Sequence, residues 1–144
     1  MALFNIFNIA GSGMSAESVR LNTVASNLAN ADSVSSNPST AYKARYPVFQ
    51  AVQAALQPGQ SPNMQAANAS VAVDGIVQST APPTARYEPG NPMADAQGYV
   101  YSSNVNVVQQ MADMISASRS YQNDAQVVDT SKSLMLDTLK LSQI

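Results

Sequence analysis

Catalysis needs a nucleophile beside a base, a pair of convergent carboxylates, or a bound metal, and this chain has few residues for any of them. It contains no His and no Cys. That excludes Ser-His-Asp and Cys-His triads, thiolate or imidazole zinc sites, thioredoxin-like redox pairs and covalent haem attachment. A carboxylate-only site for magnesium or calcium is left open, but the acidic residues do not converge. Asp124 and Asp129 lie near each other in sequence, five positions apart and so on different faces of a helix. Gly11-Ser-Gly13 has the opening of a dinucleotide loop without the preceding strand or the later glycine. Asn68-Ala-Ser70 fits the N-glycosylation pattern, a three-residue match that is common by chance. Met111, Met114 and Met135 fall at helical spacing and suit a core or an adaptable interface better than a cofactor. The expectation is a protein that is not an enzyme, with no cofactor, no metal and no small-molecule substrate.

Charge points the same way. Only 11% of the 144 residues are charged, against about 25% in ordinary soluble domains. Seven scattered basic residues and a net charge of −2 make a poor match for nucleic acid, which needs clustered Lys and Arg. The hydrophobic fraction of 45% is that of a folding chain. Few charges on the surface suit a protein surrounded by copies or partners, because interface cores are depleted of charge. A low-charge globular monomer is the alternative.

The elements follow from proline and from heptads. All eight prolines lie between Pro38 and Pro92. The stretch before them, Leu3–Ala31, carries Phe7, Met14, Leu21 and Leu28 at intervals of seven, with Ala10, Val24 and Ala31 between and Glu17 as the misfit. This is an a/d stripe. Gly11 and Gly13 weaken it, so the helix either frays there or begins near Ser12. After the prolines a 4-3 alternation runs Val107, Met111, Met114, Ser118, Tyr121, Ala125, Val128, Lys132, Met135, Leu139. Asn106 is placed to cap this second helix, and Asp129–Lys132 and Asp137–Lys140 are i,i+3 pairs. About 36 residues at 1.5 Å each give roughly 54 Å, more than a small globule hides. The spacing therefore predicts a coiled coil of the two terminal helices in preference to a compact bundle.

Between the helices the reading is a small β-rich insert with short candidate strands at Ala41–Ala51, Ser70–Ser79 and Ala85–Tyr87. Asp74-Gly75 suggests a turn or bulge, and Gln57–Ala69 a flexible loop. The fold class is thus mainly α with a small β insert. Its parts are an N-terminal helix segment 1–31, a middle segment 32–103 with loop 57–69, and a C-terminal helix segment 104–144. Met1–Ala10 lacks a basic n-region, since Arg20 is the first basic residue, and no window approaches 18 apolar residues. No cleavable signal and no membrane span are expected.

Particular strings carry a resemblance. Ser26-Asn-Leu-Ala-Asn-Ala-Asp-Ser33 resembles the N-terminal signature of bacterial flagellar rod and hook proteins, with Asn27, Leu28, Asn30 and Ala31 as its matching residues. Tyr87-Glu-Pro-Gly-Asn-Pro92, Gly98-Tyr-Val, Asn104-Val-Asn-Val-Val and Ile115-Ser-Ala-Ser-Arg-Ser-Tyr-Gln122 are similar to the proximal-rod members of that family. They include Asn104, Ser118, Arg119, Ser120 and Tyr121. Met1-Ala-Leu-Phe-Asn-Ile-Phe and Lys132-Ser-Leu-Met-Leu-Asp-Thr-Leu extend the likeness over nearly the whole chain. Gln57–Ala69, Asn123-Asp-Ala125 and Asp137 depart from the family pattern. The resemblance implies a structural subunit of the periplasmic rod, which transmits torque from motor to hook and encloses the export channel. It further implies passage through the flagellar type III export apparatus without signal cleavage. The partners it implies are copies of the chain, other rod proteins and the adaptor joining rod to membrane ring. The helix-seam residues expected to serve assembly are Phe7, Met14, Leu21, Val24, Leu28, Val107, Met111, Met114, Tyr121, Val128, Met135 and Leu139.

Overall fold

The computed structural model describes residues 2–53 and 69–141. Two long helices enclose a small β insert in sequence: α1 (Ala2–Ala29), β1 (Val34–Ser35), β2 (Arg45–Gln53), β3 (Ala69–Gln78), β4 (Thr84–Tyr87), β5 (Tyr99–Ser102) and α2 (Val107–Leu141). Helix α1 runs through Gly11 and Gly13 without a break, so it does not begin near Ser12 as the glycines suggested. It ends at Asn30, whose Nδ2 donates to the Ser26 carbonyl at 2.8 Å while its own carbonyl accepts from Ser33 Oγ at 2.8 Å. Both carbonyls also accept backbone N–H groups at 3.2 Å, Ser26 from Asn30 and Asn30 from Ser33, so the chain leaves the helix with these groups paired. Helix α2 opens as expected, with Asn106 Oδ1 accepting from the Gln109 N–H at 3.2 Å.

The strands form a three-stranded antiparallel sheet in the order β1-β5-β4 and a two-stranded ribbon of β2 and β3. In the first, Val34 pairs with Ser102, and Thr84 through Tyr87 pair with Ser102 back to Tyr99. Three details differ from the sequence expectation. The Ala41–Ala51 strand begins only at Arg45. The amide of Ala44, just before it, is taken by Asn104 Oδ1 at 2.7 Å. Asp74-Gly75 does not turn the chain: it lies inside β3, which runs on to Gln78, and only the turn alternative is set aside. Strands β1 and β5, of two and four residues, were not anticipated. The expected loop Gln57–Ala69 lies outside the described residues, except Ala69, which opens β3.

By packing, the chain divides into two compact units. The first comprises Met1–Val19, Val48–Gly75 and Ala117–Ile144, the second Arg20–Pro47 and Ile76–Ser116. The first unit buries Ala10, Ala16, Ala117 and Ser131, and its ribbon meets α1 where the Val71 N–H donates to Ser12 Oγ at 3.1 Å. The second buries Val24, Ala41, Ala44, Val100, Thr23, Asn27, Ser103 and Gln110. Among the described residues, the largest fully buried side chains are Gln110, Val100 and Asn27. The interior is therefore built of small residues and amides, and the large apolar side chains are elsewhere. No helix among the described residues is long and apolar enough to cross a membrane.

Candidate functional site

Asn27 is the most connected side chain of the second unit. It is fully buried, and its amide is satisfied on both sides. Nδ2 donates to the Arg45 carbonyl at 2.7 Å and to Gln110 Oε1 at 2.9 Å. Oδ1 accepts from the Arg45 N–H at 2.9 Å and from the Tyr42 hydroxyl at 3.0 Å. One residue thus ties the last turns of α1 to Tyr42, to the first residue of β2 and to the first turn of α2. Ser26 Oγ stands 3.3 Å from the Tyr42 hydroxyl, and the Arg45 guanidinium lies 5.5 Å from the Tyr42 ring centroid. Asn104 makes a second tie. Besides holding the Ala44 amide, it donates from Nδ2 to the Ala81 carbonyl at 2.8 Å. A buried polar network of this kind rigidifies a unit when all its members are paired. Gln110 Nε2 is the exception, buried without a hydrogen-bond partner.

The helices touch through polar and small residues. In the second unit Arg20 Nη2 meets Asp113 Oδ1 at 3.1 Å, and Asn27 meets Gln110. Numbers rise along α1 as they fall along α2, so the helices run antiparallel there. In the first unit Gly13 approaches Asp124 so closely that an added Cβ would stand 2.6 Å from Oδ2. A side chain at position 13 would require that carboxylate to swing aside. Gly13, Arg20 and Asn27 recur every seven residues, as do Gln110, Ala117, Asp124 and Ser131.

The seam expected from sequence has a mixed placement. Val24 is buried, and Phe7, Met14, Leu21, Leu28, Val107, Met114, Val128 and Met135 are half-buried. Tyr121, Met111 and Leu139 are 40%, 50% and 53% exposed. In α2 the most enclosed positions, Gln110, Ala117 and Ser131, each precede an expected seam position by one residue. Of the resemblance residues, Asn27 and Asn104 form the two ties and Asn30 closes α1. Arg119 and Tyr121 are exposed, and Leu28, Ala31, Ser118 and Ser120 are half-buried.

Two further features escaped the sequence reading. One is a cleft of about 420 Å³ in the first unit, bordered by Ile9, Gly13, Phe49, Val71, Ser120 and Asp124 among others. The other is the tip between β4 and β5. Asp95 Oδ1 accepts from the N–H groups of Tyr99 at 2.8 Å and Gln97 at 2.9 Å, and Oδ2 from the Tyr101 hydroxyl at 3.1 Å. The Tyr99 amide, foremost, holds the Asp95 carboxyl below its ordinary range against the opposing effect of desolvation. The hydrogen bond that the Tyr101 hydroxyl itself donates to Asp95 pushes the Tyr101 phenol up. Gly98, at φ 83°, closes the turn in a left-handed conformation, where a Cβ would be strained and would press on Tyr87 at 3.0 Å and Pro89 at 3.3 Å. The Tyr87 and Tyr99 rings meet edge to face at 5.2 Å. Among the described residues no group of three acidic side chains is placed to hold a metal ion.

Comparison with known proteins identifies the family. Residues 7–35 match a family described as "Flagella basal body rod protein". Residues 96–141 match one described as "Flagellar basal body rod FlgEFG protein C-terminal". The chain is 53% identical to the flagellar basal-body rod protein FlgC of Salmonella typhimurium over 143 residues, which is 99% of this chain and 100% of that one. It is 50% identical to the FlgC protein of Yersinia enterocolitica, with the same coverage. It is 33% identical to that of Buchnera aphidicola subsp. Baizongia pistaciae over 145 residues, again with 99% and 100% covered. With signature segments at both ends and this likeness from end to end, the chain belongs to the FlgC family of flagellar basal-body rod proteins.

Proposed function

We propose that this chain is a subunit of the proximal rod that assembles helically, with copies of itself and other rod proteins, into the tubular drive shaft between motor and hook. Its role in the flagellar basal body is structural and serves motility. The observation that carries the reading is an inversion of the usual burial. The interior holds Ala, Val and amides, while Val108, Met111 and Ile115 stand exposed at i, i+3 and i+7 on the side of α2 away from Gln110. Val127, Leu134 and Leu141 do the same at intervals of seven in the first unit. Contiguous apolar stripes of this kind mark surfaces that neighbours cover.

In this proposal segments 1–31 and 104–144 pair as a coiled coil around the export channel, and segment 32–103 faces outward or bridges to neighbours. The 3-4 alternation of half-buried and buried positions Ala10, Gly13, Glu17, Arg20, Val24 and Asn27 supports the pairing. The chain reaches the periplasm through the flagellar type III apparatus with no cleavable signal, and the adaptor between rod and membrane ring is a further partner. The test is purification of basal bodies from cells whose only copy of this chain carries a tag. The tagged chain is expected in the rod. Motile cells whose rods lack the tagged chain would contradict the reading.

A further inference from the structure

The cleft of the first unit holds a carboxylate in an apolar setting. Asp124 is half-buried, fitted over Gly13 and flanked by Ile9, Phe49 and Val71. Among the described residues it has no ion-pair partner. A carboxylate at the edge of an apolar cleft is an acceptor that a cation entering the cleft can pair with. Glu17 borders the same cleft and makes its own interactions within the chain. The arginines of this chain are otherwise engaged. Arg20 pairs with Asp113, Arg86 with Glu88 at 2.9 Å, and Arg45 lies over Tyr42. Arg119 is exposed on α2 and, among the described residues, has neither an acidic nor an aromatic partner.

We propose that the cleft receives the Arg119 guanidinium of a neighbouring copy of this chain, which pairs with Asp124 and stacks on Phe49. A guanidinium suits the site better than an ammonium, because its planar fork meets a carboxylate with two hydrogen bonds and its flat face packs on an aromatic ring. The pair cannot close within one chain by a turn of the helix. Positions 119 and 124 are five residues apart, about 140° around α2 at 3.6 residues per turn, and Arg119 is not among the residues bordering the cleft. A donor and an acceptor on different faces of one helix give a head-to-tail contact, which propagates from copy to copy.

This inference rests on the rod-subunit reading, and the experiment separates the two. The chain has no cysteine of its own, so Arg119→Cys and Asp124→Cys are placed in two differently tagged copies expressed together, and purified basal bodies are oxidised. A disulfide joining the two tags is expected. In parallel, Arg119→Glu and Asp124→Arg should each lower incorporation into rods by about tenfold, as for a close interfacial charge pair, and the double variant should recover most of it. Secretion and far-UV helicity identify variants that fail before assembly. Arg119→Gln then stands in for Arg119→Glu, with the cross-link as the independent readout. Wild-type incorporation by either single variant, a double variant no better than its parents, or a cross-link from position 124 only to a different rod protein overturns the pairing. Absence of the wild-type chain from rods would instead overturn the rod-subunit reading itself.

Discussion

Replacing Asn27 by Ala removes four hydrogen bonds at once and leaves the Arg45 backbone, the Tyr42 hydroxyl and Gln110 Oε1 to find other partners. Buried groups left unpaired cost about 1–3 kcal/mol each, and some of these are only partly enclosed. A loss of about 3 kcal/mol in the stability of the second unit is therefore expected. It is read from the urea midpoint and from faster exchange of the Arg45 amide. An unchanged Arg45 amide would show that the tie is ornamental. Asp95 supplies a pH-dependent prediction. Its carboxyl is held below the ordinary range in the folded tip, chiefly by the Tyr99 amide. A lowered folded value means the contribution is complete above the ordinary carboxylate range and lost as pH falls through the folded value. Amide exchange at Tyr99 and Gln97, corrected for its intrinsic pH dependence, should accelerate in strong acid. Asp95→Asn should abolish that acid dependence, and identical profiles for the two proteins would refute the account.

At the scale of elements, both helices, the cap at Asn106 and most of β2, β3 and β4 were legible, because apolar period and turn residues announce them. The polar contacts between the helices were not. A reader of sequence follows large apolar residues, and these gave Met14, Leu21 and Leu28 on α1 and Met111 on α2. The chain also meets itself through Gly13, Arg20 and Asn27 and through Gln110, Asp113 and Asp124, whose residue types do not announce a helix contact. Small and amide side chains let backbones come close, and their pairing is invisible until both partners are known. Strands β1 and β5 were missed for a related reason. They are too short to show a period, and the enclosed Val100 of β5 has only its neighbours' positions to explain it. The close approach of Gly13 to Asp124 gives a direct test. Cysteines at these two positions should form a disulfide within one chain, and it should appear in purified subunits and in rods alike. Disulfides only between chains would contradict the pairing of α1 with α2.

For the whole molecule, the apolar surface that remains uncovered governs behaviour. Leu134, Leu136, Leu139 and Leu141 are all exposed near the end of α2. Each such side chain contributes about 1.5–3 kcal/mol once a partner covers it and almost nothing before. Ordering the backbone costs about 1–2 kcal/mol per residue, so in dilute solution the last turns of α2 should exchange their amides rapidly and become protected on assembly. Leu28→Asp puts a charge into a half-buried seam position and should abolish incorporation into rods while leaving secretion of the subunit intact. Normal swimming with Asp at position 28 would contradict the assembly role of the seam. The most direct measurement is a density map of the rod in basal bodies that carry this chain, at a resolution that traces side chains. The account predicts this chain in the proximal rod, with α1 and α2 of each copy side by side against the channel and the exposed stripes of α2 covered by neighbours. A rod built without the chain, or one in which the two helices of a copy are separated and each packs only on other subunits, would contradict it.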